Sequence, residues 1–295
     1  MRIGSENTPH RTMSPSGTTP NTPQTRAATG STGSANTPGW QNPVALAGAT
    51  WLRMPNFSSQ AYVGDTKAEL DLGHGEKFEL TRFNTKVNEV KFSQQPGVAQ
   101  DVSFNKSPLD PREPLAPNEQ AGVFLGWKSG KGELMNLGQA SENTRLFVTA
   151  PMNGCALIVG GPGDGPTVMH ANYDSDTLRS SVKHADQLAV YTEAYKKISD
   201  QAVAGGHIPP ENKVVFDPSK YLKEGSGVSA ISVFGIKGED GNWTLHYNAR
   251  RQTNETIEPG WFGKLLGQKP QIRTRTELVT GEIWPNPDFS ALEPR

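Results

Sequence analysis

Short apolar runs alternate with turn-forming residues along most of the chain, and this pattern predicts β-strands. Apolar and polar side chains alternate in Lys77–Phe83, which is typical of a strand with one buried face. The run Ser229–Ile236 is apolar enough for a central strand, and a turn at Gly238–Asn242 leads into Trp243–Ala249. By the same criterion, further strands are predicted at residues 50–54, 61–63, 121–127, 133–137, 213–216 and 276–283.

A second hairpin is predicted where residues 121–127 return through 133–137, with the Gly-containing segment 128–132 as the turn. A third hairpin organises the chain: the apolar run Leu146–Gly160, the loop Gly161–Pro166 and the returning run Thr167–Tyr173. It carries Cys155 and His170, and their separation of 170 − 155 = 15 residues is folded back on itself. The two side chains can meet if both point to one face of the sheet.

One long amphipathic helix is predicted from about Asp176 to Val203. Asp and Ser residues at 174–176 are candidate N-caps, and Gly205-Gly206 ends the helix. Its apolar positions recur at three- and four-residue steps: Leu178, Val182, Ala185, Leu188, Tyr191, Tyr195 and Ile198. Strands on both sides of one helix predict an α+β fold, with mostly antiparallel β-sheets packed in a sandwich.

Residues 1–44 have a different composition, dominated by Ser, Thr, Pro, Gly, Asn and Gln. Such a segment cannot bury enough apolar area to offset its ordering entropy, so disorder is expected. A secretion or translocation signal of an injected bacterial effector fits this composition, and so does a linker or a misplaced start, since Met13 could also initiate. Residues 45–295 are expected to form the functional domain.

The bulk properties of the 295 residues exclude several classes of protein. A net charge of −1 gives no sign of a nucleic-acid partner, and no apolar run is long enough to span a membrane. The first residues lack the apolar core of a cleaved export signal. A single cysteine excludes an internal disulfide and a cysteine-rich metal cage. Separately, the protein is expected to be a monomer.

Cys155 and His170 are the candidate catalytic pair. A thiol attacks an amide carbonyl as the thiolate, so it needs a neighbouring base, and His170 is the histidine that local structure places near it. The turn formers Asn153-Gly154 can aim the Cys155 N–H into a cavity as an oxyanion donor. A third group must orient the imidazole, and a main-chain carbonyl such as that of Thr149, six residues before the cysteine (155 − 149 = 6), could serve.

These residues resemble a known family. The sequence Met152-Asn153-Gly154-Cys155, followed by a strand, a Gly-rich turn and Val168-Met169-His170, looks like the catalytic core of the cytotoxic necrotizing factor, Burkholderia lethal factor and chemoreceptor deamidase superfamily. The resemblance implies that Thr149 supplies the carbonyl of the third triad member. It also implies deamidation of protein glutamines. Asn153 stands where the family usually has serine.

The resulting hypothesis is a cysteine-dependent protein-glutamine deamidase with Cys155, His170 and Thr149 as catalytic residues and with no cofactor or metal. As the resemblance implies, it would be a toxin or effector secreted from a bacterium, and its partner would be a host-cell protein with a reactive glutamine. The same pair could serve a transglutaminase or a cysteine peptidase. A non-catalytic β-rich interaction module, based on exposed Trp243, Trp261 and Trp284, is the alternative of another class.

Overall fold

The computed structural model describes residues 51–53, 64–95, 101–110, 112–117, 119–152, 154–173, 184–221 and 227–293. These residues all belong to one compact unit, Thr37–Arg295. The N-terminal segment 1–44 lies outside the described residues, as do Asn153 and the predicted helix start at 174–183.

Strands and one long helix account for most of the described residues. The strands are β1 (Trp51–Arg53), β2 (Gly64–Gly73), β3 (Glu76–Phe83), β4 (Glu89–Gln95), β5 (Asp101–Pro108), β6 (Glu119–Leu125), β7 (Lys131–Asn136), β8 (Leu146–Thr149), β9 (Ala156–Gly160), β10 (Thr167–Ala171), β11 (Val214–Phe216), β12 (Val228–Lys237), β13 (Trp243–Ile257) and β14 (Gln271–Trp284). The α-helices are α1 (His184–Ala204) and the short α2 (Trp261–Leu265), and single 3-10 turns lie at Leu137–Gln139, Pro218–Lys220 and Ser290–Leu292.

The strands form two mixed sheets. Sheet I has the order β1-β5-β4-β6-β8-β12-β13-β14, and sheet II has the order β11-β9-β10-β7-β3-β2. Three pairings are parallel, namely β1 with β5, β3 with β7 and β6 with β8, and the other observed pairings are antiparallel. The predicted α+β class with mostly antiparallel sheets is therefore confirmed.

The main core lies between the two sheets. Buried side chains of sheet I, among them Phe147 and Leu245, share one cluster with Leu157 and Val168 of sheet II. Strands place alternate side chains on opposite faces, so the residues two positions along from Leu157 and Val168 also face sheet I. These positions include Cys155 and His170.

Helix α1 covers the other face of sheet II. Tyr195 and Ile198 are buried there against Ala156 of β9 and Met169 of β10, as the sequence predicts. Leu188, predicted to be a core position, is only half-buried. The helix therefore packs on the sheet through its C-terminal half, while its first described turns contact the sheet less fully.

The predicted hairpin at residues 121–137 is wrong. Strand β6 pairs with β4 and β8 in sheet I, whereas β7 pairs with β3 and β10 in sheet II. Residues 126–130 therefore carry the chain from one sheet to the other. Two buried strands joined by a short Gly-containing loop have the same sequence pattern whether they pair in one sheet or connect two sheets. In both cases the two strands bury their apolar side chains in the same core.

The run Leu146–Gly160 divides in the same way. Its first part, β8, lies in sheet I, and its second part, β9, lies in sheet II. The hairpin of β9 and β10 is confirmed, with Ala156 opposite Ala171 and Thr167 opposite Gly160. The chain thus passes from sheet I to sheet II between Thr149 and Ala156, and Cys155 lies directly before β9.

Two other sequence expectations change. Strands β2 and β5 were not predicted: β2 is an edge strand that buries Leu70 and Leu72 among polar side chains, so its pattern is weak. Of the tryptophans expected to be exposed, Trp243 and Trp284 are fully buried, whereas Trp261 is 71% exposed. Within the described ranges, no helix is both long enough and apolar enough to cross a membrane.

Candidate functional site

The approach to Cys155 is shaped by a glycine. Gly154 has a φ of +90°, a conformation that L-residues rarely adopt, and a β-carbon placed there would meet nothing within 4 Å. The backbone thus bends sharply just before the cysteine, and the space in front of the bend is open. Cys155 itself is 3% exposed and points into the core between the sheets.

Asn172 lies directly across from Cys155. The pairing of Ala171 with Ala156 continues by one residue, and the Asn172 side chain donates from Nδ2 to the Cys155 Sγ at 3.0 Å. The orientation of the amide is fixed because its Oδ1 accepts the backbone N–H of Gly130 at 3.1 Å. A donor aimed at the sulfur favours the thiolate, so Asn172 acts against the effect of burial on the Cys155 pKa.

Burial dominates that balance. Removal from water raises the pKa of the Cys155 thiol to about 11, and the Asn172 hydrogen bond lowers it in part. At neutral pH the resting thiol is therefore protonated. A nucleophilic role for Cys155 would therefore require a change at the site, such as a proton acceptor that moves closer to the sulfur.

His170 lies on the same face of sheet II as Cys155 and Asn172, two residues before Asn172 in the chain. It pairs with Leu157 on one side and with Glu133 on the other, so it is a diagonal neighbour of Cys155, roughly 7 Å away in a regular sheet. The ring is fully buried, and neither nitrogen has a hydrogen-bond partner among the described residues. Burial lowers the pKa of His170 to about 3, so the imidazole is neutral.

Glu133 is a site residue that the sequence analysis missed. It lies on β7 directly opposite His170, is 4% exposed, and its Oε2 has no partner in the described part of the chain. Burial raises its pKa to about 7, although nearby Lys128 lowers it in part. The sequence carried one signal for it, a charged residue inside the apolar run 132–135, but the pairing of β7 with β10 is a long-range feature.

Thr149 lies on the opposite sheet. It ends β8 on the face shared with Phe147, which points toward sheet II, and it is fully buried. Its hydroxyl donates to the carbonyl of Ala150 at 2.6 Å and lies 3.6 Å from the Met152 sulfur. Thr149 and Cys155 therefore lie at the two ends of the connection between sheet I and sheet II.

Tyr195 of α1 holds the bend before the cysteine. Its hydroxyl donates to the Gly154 carbonyl at 2.6 Å and accepts the Tyr173 N–H at 3.3 Å. In a trans peptide the C=O and N–H groups point to opposite sides, so a carbonyl held toward the helix aims the Cys155 N–H away from it. The helix thus fixes the orientation of the expected oxyanion donor.

One cavity lies apart from Cys155, and the described residues offer no metal site. A cavity of about 360 Å³ beside Tyr173 and Leu72 lies on the helix side of sheet II, not on the face that carries Cys155. In the described parts of the chain, no group of three or more His, Cys, Asp or Glu side chains is placed to hold a metal ion.

Comparisons with known proteins give little beyond this geometry. No family model matches the chain, and no curated protein matches it. Among solved structures, the crystal structure of the C-terminal domain of CNFy from Yersinia pseudotuberculosis is similar over 83% of this chain and 95% of that chain. The TM-score is 0.35 and the sequence identity is 10%.

Proposed function

We propose that this protein is a protein-glutamine deamidase in which Cys155 is the nucleophile and His170 the general acid and base. The observation that carries the proposal is a group of polar side chains on one face of sheet II, which we call the core polar cluster: the buried Glu133, Cys155 and His170 and the half-buried Asn172. The only thiol of the chain accepts a hydrogen bond from an amide and lies diagonally across from an imidazole, and this arrangement supports a nucleophilic role.

The core polar cluster is costly for a purely structural sandwich. Buried polar groups in native proteins are nearly always hydrogen-bonded, and an unpaired one costs about 1–3 kcal/mol. Both nitrogens of His170 and one carboxylate oxygen of Glu133 lack partners among the described residues. Apolar side chains at these positions would pack without that cost, so a catalytic role accounts for their presence.

The reaction uses the cluster in two steps. The Cys155 thiol gives its proton to His170 while its sulfur bonds to the carboxamide carbon of the substrate glutamine. The C–N bond then breaks, His170 returns the proton to the leaving ammonia, and a thioester remains. His170 next takes a proton from water, the hydroxide attacks the thioester, and glutamate leaves as the thiol re-forms. The Cys155 N–H, held in place through Tyr195, stabilises both oxyanions.

Two groups are candidates for orienting His170. The family resemblance favours the main-chain carbonyl of Thr149, which lies on the facing sheet, whereas the register favours the carboxylate of Glu133. The Thr149→Ala change should be mild and Thr149→Pro severe if the carbonyl acts, because only proline distorts the strand. Loss of activity in Glu133→Gln, with both pairing strands intact, would assign the role to the carboxylate instead.

The proposed setting follows from the resemblance and the N-terminal composition. We infer a secreted bacterial effector or toxin that acts in a host or target cell on a protein with a reactive glutamine. Conversion of one Gln to Glu adds a negative charge without cutting the target.

Mass spectrometry of host-cell lysate tests the chemistry. Lysate treated with the wild-type protein should contain Gln-to-Glu conversions that are absent with Cys155→Ser and with His170→Ala. Because both residues act as one unit, the double mutant should be little worse than either single mutant. Amine-linked glutamines would show a transglutaminase, and new peptide termini a peptidase. Identical spectra for wild-type and Cys155→Ser protein would remove the proposal.

The burial of Cys155 favours a second candidate, a non-catalytic β-rich interaction module in which the thiol packs in the core. A packed thiol with a pKa of about 11 should resist mild alkylation at neutral pH, whichever alkylating reagent is used. A nucleophile should become reactive toward a glutamine-derived electrophile that occupies the site. Labelling of Cys155 by this electrophile in the wild-type protein separates the two candidates. The matched variant is Asn172→Ala, which loses the hydrogen bond to the sulfur.

A further inference from the structure

An extended arm leaves the sandwich at its sheet I edge. Strands β13 and β14 remain paired from Gln252 opposite Thr276 to Ile257 opposite Gln271, yet every side chain of these two six-residue segments is exposed. The other half of β13 is buried, including Trp243, Leu245 and Tyr247. At about 3.4 Å per residue, the exposed ribbon extends roughly 20 Å beyond the core.

The end of the arm is apolar. Helix α2 and the next residue expose Trp261 by 71%, Phe262 by 61%, Leu265 by 74% and Leu266 by 74%. The Trp261 and Phe262 ring centroids are 4.0 Å apart, so the two rings form one surface. Ile272, next to the last residue pair of the ribbon before the apolar end, is also 71% exposed. Soluble proteins rarely expose a contiguous group of large apolar side chains unless it binds something.

The charge of the arm is the opposite of that of the rest of the molecule. Residues 252–276 contain four Lys or Arg and two Glu, a net charge of 4 − 2 = +2, whereas the whole chain has −1, which leaves −3 for the remainder. Lys269 is exposed beside the apolar end, and Arg273 and Arg275 are exposed along the ribbon, where Arg273 lies opposite Glu255.

We propose that the arm is a membrane-contact element whose apolar end enters the headgroup region of a bilayer rich in anionic lipids. Trp and Phe favour the membrane interface, leucines add apolar area, and nearby Lys and Arg side chains bind anionic headgroups. The two strands are paired with each other along the ribbon, so the ribbon can carry the apolar end to the headgroup region while its own open strand edges stay in water. This proposal goes beyond the deamidase proposal and does not depend on it.

Sedimentation of the full chain with lipid vesicles tests the proposal. We expect weak binding to phosphatidylcholine vesicles and stronger binding when phosphatidylserine is included, with the added binding lost at high salt. The double variant Trp261→Ser/Phe262→Ser should weaken partitioning by about tenfold or more. Lys269→Gln/Arg273→Gln/Arg275→Gln should remove the preference for phosphatidylserine. Val87→Ser, which changes a 66% exposed apolar residue elsewhere, is the matched control and should bind as wild type.

Two results would overturn the proposal. One is the absence of binding to both vesicle types, or binding unchanged in the double variant. The other is a concentration-dependent dimer in size-exclusion chromatography that the double variant abolishes while vesicles are not bound, since the arm would then join copies of the chain. Cys155→Ala should bind vesicles as wild type, so the outcome is independent of the catalytic proposal. Thermal unfolding of each variant checks that the fold is retained.

Discussion

His170 is a buried polar residue whose cost in stability is accounted for, in our proposal, by a catalytic role. Its imidazole is fully buried between two sheets, with an apolar neighbour on one strand and a carboxylate on the other. Both ring nitrogens lack partners within the described ranges. A group placed in this way reduces the free energy of unfolding and keeps a neutral base close to the thiol.

The first prediction concerns this trade between stability and activity. His170→Leu should raise the free energy of unfolding by about 1–3 kcal/mol, because an unpaired polar group is replaced by an apolar one of similar size. The same change should abolish deamidation. Urea unfolding and the lysate assay measure the two effects. A loss of stability as large as that of a core truncation would mean that the imidazole makes stabilising contacts after all.

Glu133 gives a prediction in pH. Its pKa rises from 4.5 to about 7 on folding, so the folded protein keeps a proton that the unfolded chain releases between these values. The stabilisation is complete below pH 4.5 and is lost as pH rises through about 7. Glu133→Gln removes this dependence, so from pH 5 to pH 8 the variant should gain up to about 3 kcal/mol relative to wild type.

Urea unfolding at the two pH values measures this difference. His170 titrates in the opposite sense, since its lowered pKa costs stability below about pH 6.5, but it is present in both proteins and cancels. Glu142→Gln, at an exposed position, is the matched control and should show no such change. Equal pH profiles for wild type and Glu133→Gln would show that the carboxylate is not desolvated in solution.

At the scale of elements, the site depends on one strand crossing and one helix. The segment after β8 leaves sheet I, and its Met152 N–H is held by the Ile231 carbonyl of β12 at 3.0 Å. It then reaches sheet II at Gly154, where the Tyr195 hydroxyl of α1 fixes the peptide. The helix therefore stabilises sheet II from outside and orients the cysteine backbone from the same side.

Tyr195→Phe tests this coupling. The change removes two hydrogen bonds and should cost about 1–2 kcal/mol of stability. If the bond to Gly154 orients the oxyanion donor, kcat should fall while KM stays the same, because the interaction stabilises the transition state and not the bound substrate. Tyr191→Phe, one turn earlier on α1, is the control. A rise in KM alone would assign Tyr195 to substrate binding.

At the scale of the whole molecule, the sandwich with its helix is the catalytic body in our proposal, and the N-terminal segment is a separate delivery element. A chain that begins near Val44 should keep the thermal midpoint and the lysate activity of the full protein, because residues 1–44 contain too little apolar area to contribute to a core. Differential scanning fluorimetry and the lysate assay test this. Unfolding of the shortened chain would assign a structural role to the segment.

The sequence by itself determined the features that depend on local periodicity. The alternating runs gave most strands, the three- and four-residue spacing gave α1, and the turn at Gly161–Pro166 gave the hairpin of β9 and β10. It therefore also gave the α+β class and brought Cys155 and His170 onto adjacent strands. These signals are local, because burial on one face leaves its mark within a few residues.

The tertiary structure alone decided which strands share a sheet. The sequence placed β6 with β7 and joined β8 to β9, whereas both connections cross the sandwich, since every one of these runs is buried and fits either partner. That long-range pairing set Glu133 opposite His170 and placed Thr149 on the facing sheet, whereas Asn172 lies opposite Cys155 because of the local hairpin of β9 and β10. Pairing between distant strands depends on packing across the whole core, and no short stretch of sequence encodes it.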